Sequence, residues 1–190
     1  MNMTLRSTLG KFATIASASL ILASANASAD TLDFSGFPIG PIGSTVMVLP
    51  NATITSFGSD IYVGAAGIDH EICALSGGSC QADLRIDFST AVNSLSFVTS
   101  GWNPGDHVDA NVYDGITLLG TVSQSSNGLV DLSAFSHVTS IYLDDSSTGA
   151  GFGYDHFIFA PVPEPETYAM LLAGLGLLGF MARRRKESAV

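Results

Sequence analysis

The sequence predicts an all-β protein, specifically a jelly-roll-like antiparallel β-sandwich. Apolar and polar residues alternate along short runs such as Leu84 to Phe88, which is the period of a strand with one buried face. Turn-forming pairs, including Gly77-Gly78 and Asp114-Gly115, separate these runs at a spacing typical of a sandwich. Residues 30–161 show no convincing helical stripe.

The candidate strands follow from the alternation in chain order. They are residues 31–34, 46–49, 53–56, 61–63, 84–88, 94–100, 107–114, 117–123, 128–132, 138–144 and 154–159. A sandwich of about eight or nine strands is expected. Because the candidates exceed that number, some are expected to be irregular or to pair as short hairpins.

Residues 1–29 have the pattern of a signal peptide. Arg6 and Lys11 form a positive region, an apolar stretch follows, and Ala27-Ser28-Ala29 is a small-residue cleavage site. With cleavage after Ala29, one domain of residues 30–161 precedes a C-terminal segment of residues 162–190.

That C-terminal segment has three parts in a fixed order. Pro163-Glu164-Pro165 is stiff and extended, because two prolines remove backbone donors. An uncharged run at residues 168–182 predicts a single transmembrane helix, although its length of about 22 Å is short of the ~30 Å hydrocarbon core. A buried C-terminal core helix is the alternative. A cluster of cations follows and places the preceding domain outside the cytoplasm: Arg183, Arg184, Arg185 and Lys186.

A Pro-Glu-Pro motif, a Gly- and Leu-rich span and a terminal Arg cluster together resemble the PEP-CTERM sorting signal of exported Gram-negative bacterial proteins. The resemblance implies recognition by an exosortase-type membrane transpeptidase, cleavage near the motif and delivery to the cell surface. Family members often occur in exopolysaccharide matrix or flocs. The resemblance implies a destination, and no activity for the delivered domain.

The domain itself is strongly acidic. From residue 31 to residue 162 there are thirteen acidic residues against Arg85 alone, a formal charge of −12. Nucleic acid and anionic membranes are therefore excluded as partners. Solubility and surface repulsion explain such acidity, and so does binding of a divalent cation such as Ca²⁺, which prefers carboxylate oxygens.

Both cysteines of the chain, Cys73 and Cys80, fall in this domain. An even count in an exported protein predicts a disulfide across the flexible turn between them. A redox or metal-binding pair is the alternative, but no C-x-x-C motif or second cysteine pair accompanies them.

Motifs for catalysis are missing from the sequence. The four histidines lie on separate segments without zinc-ligand spacing, and no nucleophile elbow, phosphate-binding loop or EF-hand is present. Glu71 is the only glutamate before the sorting signal, which removes the commonest glycosidase arrangement. We therefore expect a protein that is not an enzyme.

Two places are candidates for binding. Asp33, in the first strand, and Asp155, in the last, would share a Ca²⁺ if those strands are neighbours, as they often are in a jelly roll. A first strand carrying Asp and a last strand with G-x-D-x-F-x-F resemble carbohydrate-binding sandwich modules, several of which hold calcium there. The alternative is that both aspartates are solvated strand residues.

The second place is the loop that contains Trp102, Asn103 and Asp106. An indole ring stacks on the apolar face of a sugar, while neighbouring amide and carboxylate groups bond its hydroxyls. The alternative is a tryptophan in the core.

Together these observations predict a non-catalytic, exported cell-surface or extracellular-matrix protein, with polysaccharide and Ca²⁺ as candidate ligands. A small secreted hydrolase acting on glycans or esters is the rival. A purely structural matrix protein without a ligand pocket is the third reading.

Overall fold

The computed structural model describes residues 28–64, 70–163 and 165–187. The predicted signal peptide lies outside the described residues except for its last two positions, and so does Glu164 of the sorting motif.

Thirteen strands and one helix are found in the described part of the chain. The strands are β1 Asp30–Thr31, β2 Gly40–Pro41, β3 Val46–Val48, β4 Ala52–Ser56, β5 Asp60–Gly64, β6 Glu71–Ser76, β7 Ser79–Ala82, β8 Leu84–Ser100, β9 Val108–Asp114, β10 Thr117–Gln124, β11 Gly128–Asp131, β12 Val138–Asp145 and β13 Gly153–Pro161; the helix is α1 Pro165–Glu187.

The long strand β8 organises the sheet. Its residues 84–88 lie between β4 and β12, whereas residues 96–99 lie between β11 and β13. One strand therefore takes part in two layers, as at the corner of a sandwich where a strand switches sheets. β12, β9 and β10 extend the first layer in that order, and β6, β5 and β2 extend the second. Every pairing between these strands is antiparallel, which confirms the predicted all-β antiparallel class.

The core lies between the layers and is rich in aromatic rings. Phe97 of β8 stacks on Phe157 of β13 with centroids 5.1 Å apart, and Phe34 meets Phe157 edge-on at 6.2 Å. The buried apolar side chains run from Leu32 to Phe159, so the core of the described protein is complete without α1. The domain from residue 30 to 162 therefore has the packing to fold by itself.

The predicted strand set needs correction. The candidates at residues 84–88 and 94–100 are one strand, because β8 continues through the corner instead of turning. The first strand is Asp30–Thr31 instead of residues 31–34, so Asp33 lies just after it. The described chain has thirteen strands instead of eight or nine. Strands β2, β6 and β7 were not predicted, since β2 has only two residues and the cysteine segment is not clearly alternating. The jelly-roll-like connectivity stays a prediction.

Helix α1 begins at Pro165, so the prediction that Pro163-Glu164-Pro165 is extended is wrong at Pro165. Proline fits the first turn of a helix, because its missing N–H has no helical partner there. All side chains from residue 168 to residue 181 are exposed, including Leu171, Leu172 and Phe180. Over the described ranges, no helix combines the length and hydropathy required of a membrane span. The transmembrane helix stays a prediction.

Candidate functional site

A cleft lies where the first and last strands meet. β1 pairs with β13, with Asp30 opposite Phe159 and Thr31 opposite Ile158, and the Leu32 N–H donates to the Phe157 carbonyl at 3.1 Å. The neighbouring first and last strands were predicted from the sequence. The cleft is about 320 Å³ in volume and is lined by Thr31, Leu32, Asp33, Phe34, Ser35, His70, Asp155, His156 and Ile158.

A bulge in β13 shapes one wall of this cleft. The register with β8 shifts between Asp155 and Ile158, and His156 takes a positive φ of 52°. A bulge bends a strand and redirects its side chains. Here Asp155 is paired with the His156 ring, whose Nδ1 lies 3.0 Å from Asp155 Oδ2.

Asp33 also lines this cleft. Hydrogen bonds from Ser35, its side chain first and then its backbone N–H at 2.8 Å, lower the pKa of Asp33, and the nearby His70 lowers it further. The cleft therefore brings together two aspartates and two histidines, although only the aspartates were predicted. His70 could not be found from spacing, because it comes from the segment before β6.

These groups do not form a ready-made metal cage. The described residues contain no group of three or more His, Cys, Asp or Glu side chains able to hold a metal ion. A Ca²⁺ between Asp33 and Asp155 would take its remaining ligands from backbone carbonyls, sugar hydroxyls or water.

The Trp102 loop is built differently from its prediction. Trp102 is 38% exposed as a residue, which fits neither a core tryptophan nor a fully exposed stacking surface. Asp106 is buried and accepts hydrogen bonds from the backbone N–H groups of Asn103 at 2.8 Å, Gly149 at 3.1 Å and Gly151 at 3.3 Å. Its carboxylate therefore holds two loops together, while Trp102 and Asn103 remain candidate ligand contacts.

A buried carboxylate network was not anticipated. Asp145 is buried and accepts hydrogen bonds from the Tyr154 hydroxyl at 3.1 Å and the Ser147 N–H at 2.9 Å, while its own N–H donates to Asp83 at 3.0 Å. Burial raises the pKa of Asp145, and hydrogen bonds from Ser147 oppose that shift. The alternation of β12 could have predicted that Asp145 is buried, because Asp145 follows Leu143 by two residues and so shares its inward face.

Glu71 is a second buried acid. It is 3% exposed and accepts a hydrogen bond from the Ser100 hydroxyl. A Cβ at Gly153 would lie 2.4 Å from the Glu71 carboxyl carbon, so glycine at 153 makes room for this acid. The only glutamate before the sorting signal is thus packed inside the domain.

The predicted disulfide is present. Cys73 and Cys80 are bonded, with Cα atoms 5.3 Å apart. Cys80 also forms an isolated parallel bridge to Gly151, and the Gln81 side chain donates to the Gly149 carbonyl. The β6–β7 hairpin is therefore attached to the same loop that Asp106 binds.

The sorting segment leaves the sandwich at the corner of β8. The Val162 N–H donates to the Ala91 carbonyl at 2.8 Å, and α1 begins three residues later. Residues 161–186 match a family model described as the PEP-CTERM protein-sorting motif. The chain carries a PEP-CTERM motif.

The PEP-CTERM motif supports an exported protein that an exosortase-type membrane enzyme processes after transient anchoring in the membrane. No curated protein and no solved structure matches the chain.

Proposed function

We propose that the sandwich is a non-catalytic domain of the cell surface or extracellular matrix that binds polysaccharide in the cleft between β1 and β13. The PEP-CTERM motif supports delivery outside the cell. The observation that carries the binding proposal is the convergence of Asp33, Asp155, His70 and His156 on one cleft.

The chemistry of the cleft suits sugar hydroxyls. Carboxylates accept hydrogen bonds from hydroxyls, imidazoles both donate and accept, and the half-exposed Ile158 offers an apolar surface for the ring carbons. The acidity of the domain favours neutral polysaccharides over acidic ones unless a cation bridges the two.

The rival hydrolase is less well supported. Beside Trp102 the structure places Asp106, whose carboxylate is buried and bonded to three backbone N–H groups. An acid committed to loop structure is poorly placed to act as general acid or base.

The test is affinity electrophoresis of residues 30–162 in gels that contain soluble neutral or acidic bacterial polysaccharides. Asp33→Asn and Asp155→Asn are each expected to raise the dissociation constant obtained from the retardation at least tenfold. That is a loss of about 1.4 kcal/mol of binding free energy. Asp131→Asn is a matched control, because Asp131 accepts the Ser133 N–H at 2.8 Å as Asp33 accepts that of Ser35 but lies outside the cleft.

Two results would overturn this proposal. Binding that both cleft variants retain would place the glycan elsewhere, with the Trp102 loop as the next candidate. Release of reducing ends or ester products that Asp155→Asn abolishes would make the domain a hydrolase.

Calcium at Asp33 and Asp155 is the second candidate, favoured because both carboxylates line the same cleft. Thermal unfolding in millimolar Ca²⁺ is then expected at a higher temperature than in excess EDTA, and Asp33→Asn should remove the shift while Asp131→Asn keeps it. An equal unfolding temperature in both solutions would refute the calcium site and leave the polysaccharide proposal standing.

A further inference from the structure

Strand β10 forms an open edge of the first layer. It pairs with β9 from Thr117 to Gln124, and within the described residues no backbone or side-chain group bonds its other side. At eight residues it is a long edge, about 26 Å at 3.3 Å per residue. An edge of this kind presents a row of unpaired N–H and C=O groups that can template another strand.

The other described edges are shorter or partly blocked. β3 has three residues, and the Ser44 side chain bonds both the N–H and the carbonyl of Val46. β11 has four residues, and the Thr99 hydroxyl bonds the Gly128 carbonyl at 3.2 Å. β1 and β2 have two residues each. β7 has four, of which Cys80 forms an isolated bridge to Gly151. The β10 edge therefore differs from them in both length and exposure.

The residue content of β10 also distinguishes it. It reads TLLGTVSQ, with no charge, no proline and no lysine, in a domain of formal charge −12. Proline, lysine and inward charges are the usual protections of an edge strand. A β-bulge is another protection of an edge strand, and β10 has one near its hairpin end, between Leu118 and Gly120.

Exposed apolar side chains cluster at the same edge. Leu118 is 51% exposed, Leu119 is 37% exposed, and Ile116 in the adjoining turn is fully exposed. Two acidic domains repel each other over most of their surfaces, but a neutral apolar strand removes that repulsion at the point of contact. A second copy of the chain meets this condition, because its own β10 is equally neutral.

From these observations we propose that β10 pairs with β10 of a second copy, antiparallel about a two-fold axis. Such an interface is self-complementary, since each copy offers the same strand and the same leucines. It joins the two first layers into one continuous sheet and leaves the β1–β13 cleft of each copy open. This proposal does not depend on the ligand of that cleft.

Sedimentation equilibrium of residues 30–162 over a concentration series tests this pairing. A monomer–dimer equilibrium is expected, and Leu118→Glu should raise its dissociation constant more than tenfold by placing like charges along the shared edge. Leu129→Glu is the matched control: it makes the same change at a 65% exposed leucine on edge strand β11 and should leave the dimer intact.

Hydrogen exchange gives a second readout that needs no substitution. Alternate β10 amides, those that face away from β9, are expected to exchange more slowly at high protein concentration than at low concentration. A monomer at up to about 1 mM protein would overturn the proposal. So would a dimer that Leu129→Glu breaks and Leu118→Glu does not.

Discussion

At the scale of single residues, the domain places its acids in different environments. Asp33 and Asp131 are exposed, and serine hydrogen bonds lower the pKa of each. Asp145 is buried, and burial raises its pKa. One residue type therefore provides stable surface charge at two positions and a structural acceptor at a third.

The raised pKa of Asp145 predicts a pH-dependent stability. Because its folded pKa exceeds the ordinary value of 3.8, the native state binds more protons than the unfolded state just above that pH. The contribution of this group to the free energy of unfolding therefore falls as pH rises through that window. Asp145→Asn does not ionise, so its stability relative to the wild type should improve as pH increases above about 4 and through the raised folded pKa of Asp145.

Urea unfolding of both proteins at a series of pH values measures this difference. Asp144→Asn is the control, because it removes the same charge from the adjacent exposed position. A constant gap between Asp145→Asn and the wild type across the pH series would contradict the assignment.

At the scale of elements, the loop after β12 is held by close backbone contact with the β6–β7 hairpin. Gly151 has φ of +79°, and a Cβ there would lie 1.5 Å from the Cys80 carbonyl oxygen. Gly115 also has a positive φ, +58°, but nothing lies within 4 Å of its Cβ position. Substitution at Gly115 therefore tests the cost of a positive φ alone, whereas substitution at Gly151 adds a steric clash with the Cys80 backbone.

Gly115→Ala is expected to lower the free energy of unfolding by about 1–2 kcal/mol, because alanine is strained in the left-handed region of φ. Gly151→Ala should cost clearly more, because the Cys80 backbone must also move. The free energies of unfolding from urea titration give the comparison. Equal losses for the two variants would show that the Cys80–Gly151 contact does not constrain the loop.

The disulfide acts on the same hairpin. Replacing both Cys73 and Cys80 with serine should lower the free energy of unfolding by roughly 2–3 kcal/mol, as expected for a loop of this length in the chain-entropy model. Thermal and urea unfolding with and without a reductant measure the loss. Reductant should reproduce it in the wild type and have no effect on the double serine variant; an unaffected wild type would contradict this prediction.

At the scale of the whole molecule, the sandwich and the sorting segment are separate in packing. All buried apolar side chains of the described chain lie between Leu32 and Phe159. Residues 30–162 and residues 30–190 in detergent should therefore unfold at the same temperature. A lower value for the shorter protein would show that α1 supports the core.

The PEP-CTERM motif predicts a processing phenotype. Pro163→Ala with Pro165→Ala should leave the protein unprocessed and membrane-associated in its host, because both prolines of the sorting motif are lost. Immunoblots of membrane and extracellular fractions detect this. Pro38→Ala, an exposed proline between β1 and β2 and outside residues 161–186, is the control and should be processed normally. Normal release of the double variant would show that sorting does not use the motif.

Local sequence signals determined the fold class, the disulfide and the sorting motif. Strand alternation, two nearby cysteines and the order of proline motif, apolar run and arginines are each contained within a few residues to a few tens of residues. They could therefore be interpreted before any long-range contact was known. Asp145 could also have been found this way, since it shares the inward face of Leu143.

Which residues far apart in the chain come together depends on the tertiary fold. The cleft forms because β1 pairs with β13 and because His70 comes from a third segment. Asp106 accepts hydrogen bonds from Gly149 and Gly151, which lie more than forty residues away in the chain. The open edge of β10 likewise depends on which strands pair elsewhere. Strand pairing joins residues across long stretches of chain, and its register is set by packing of the whole core, which no local pattern contains.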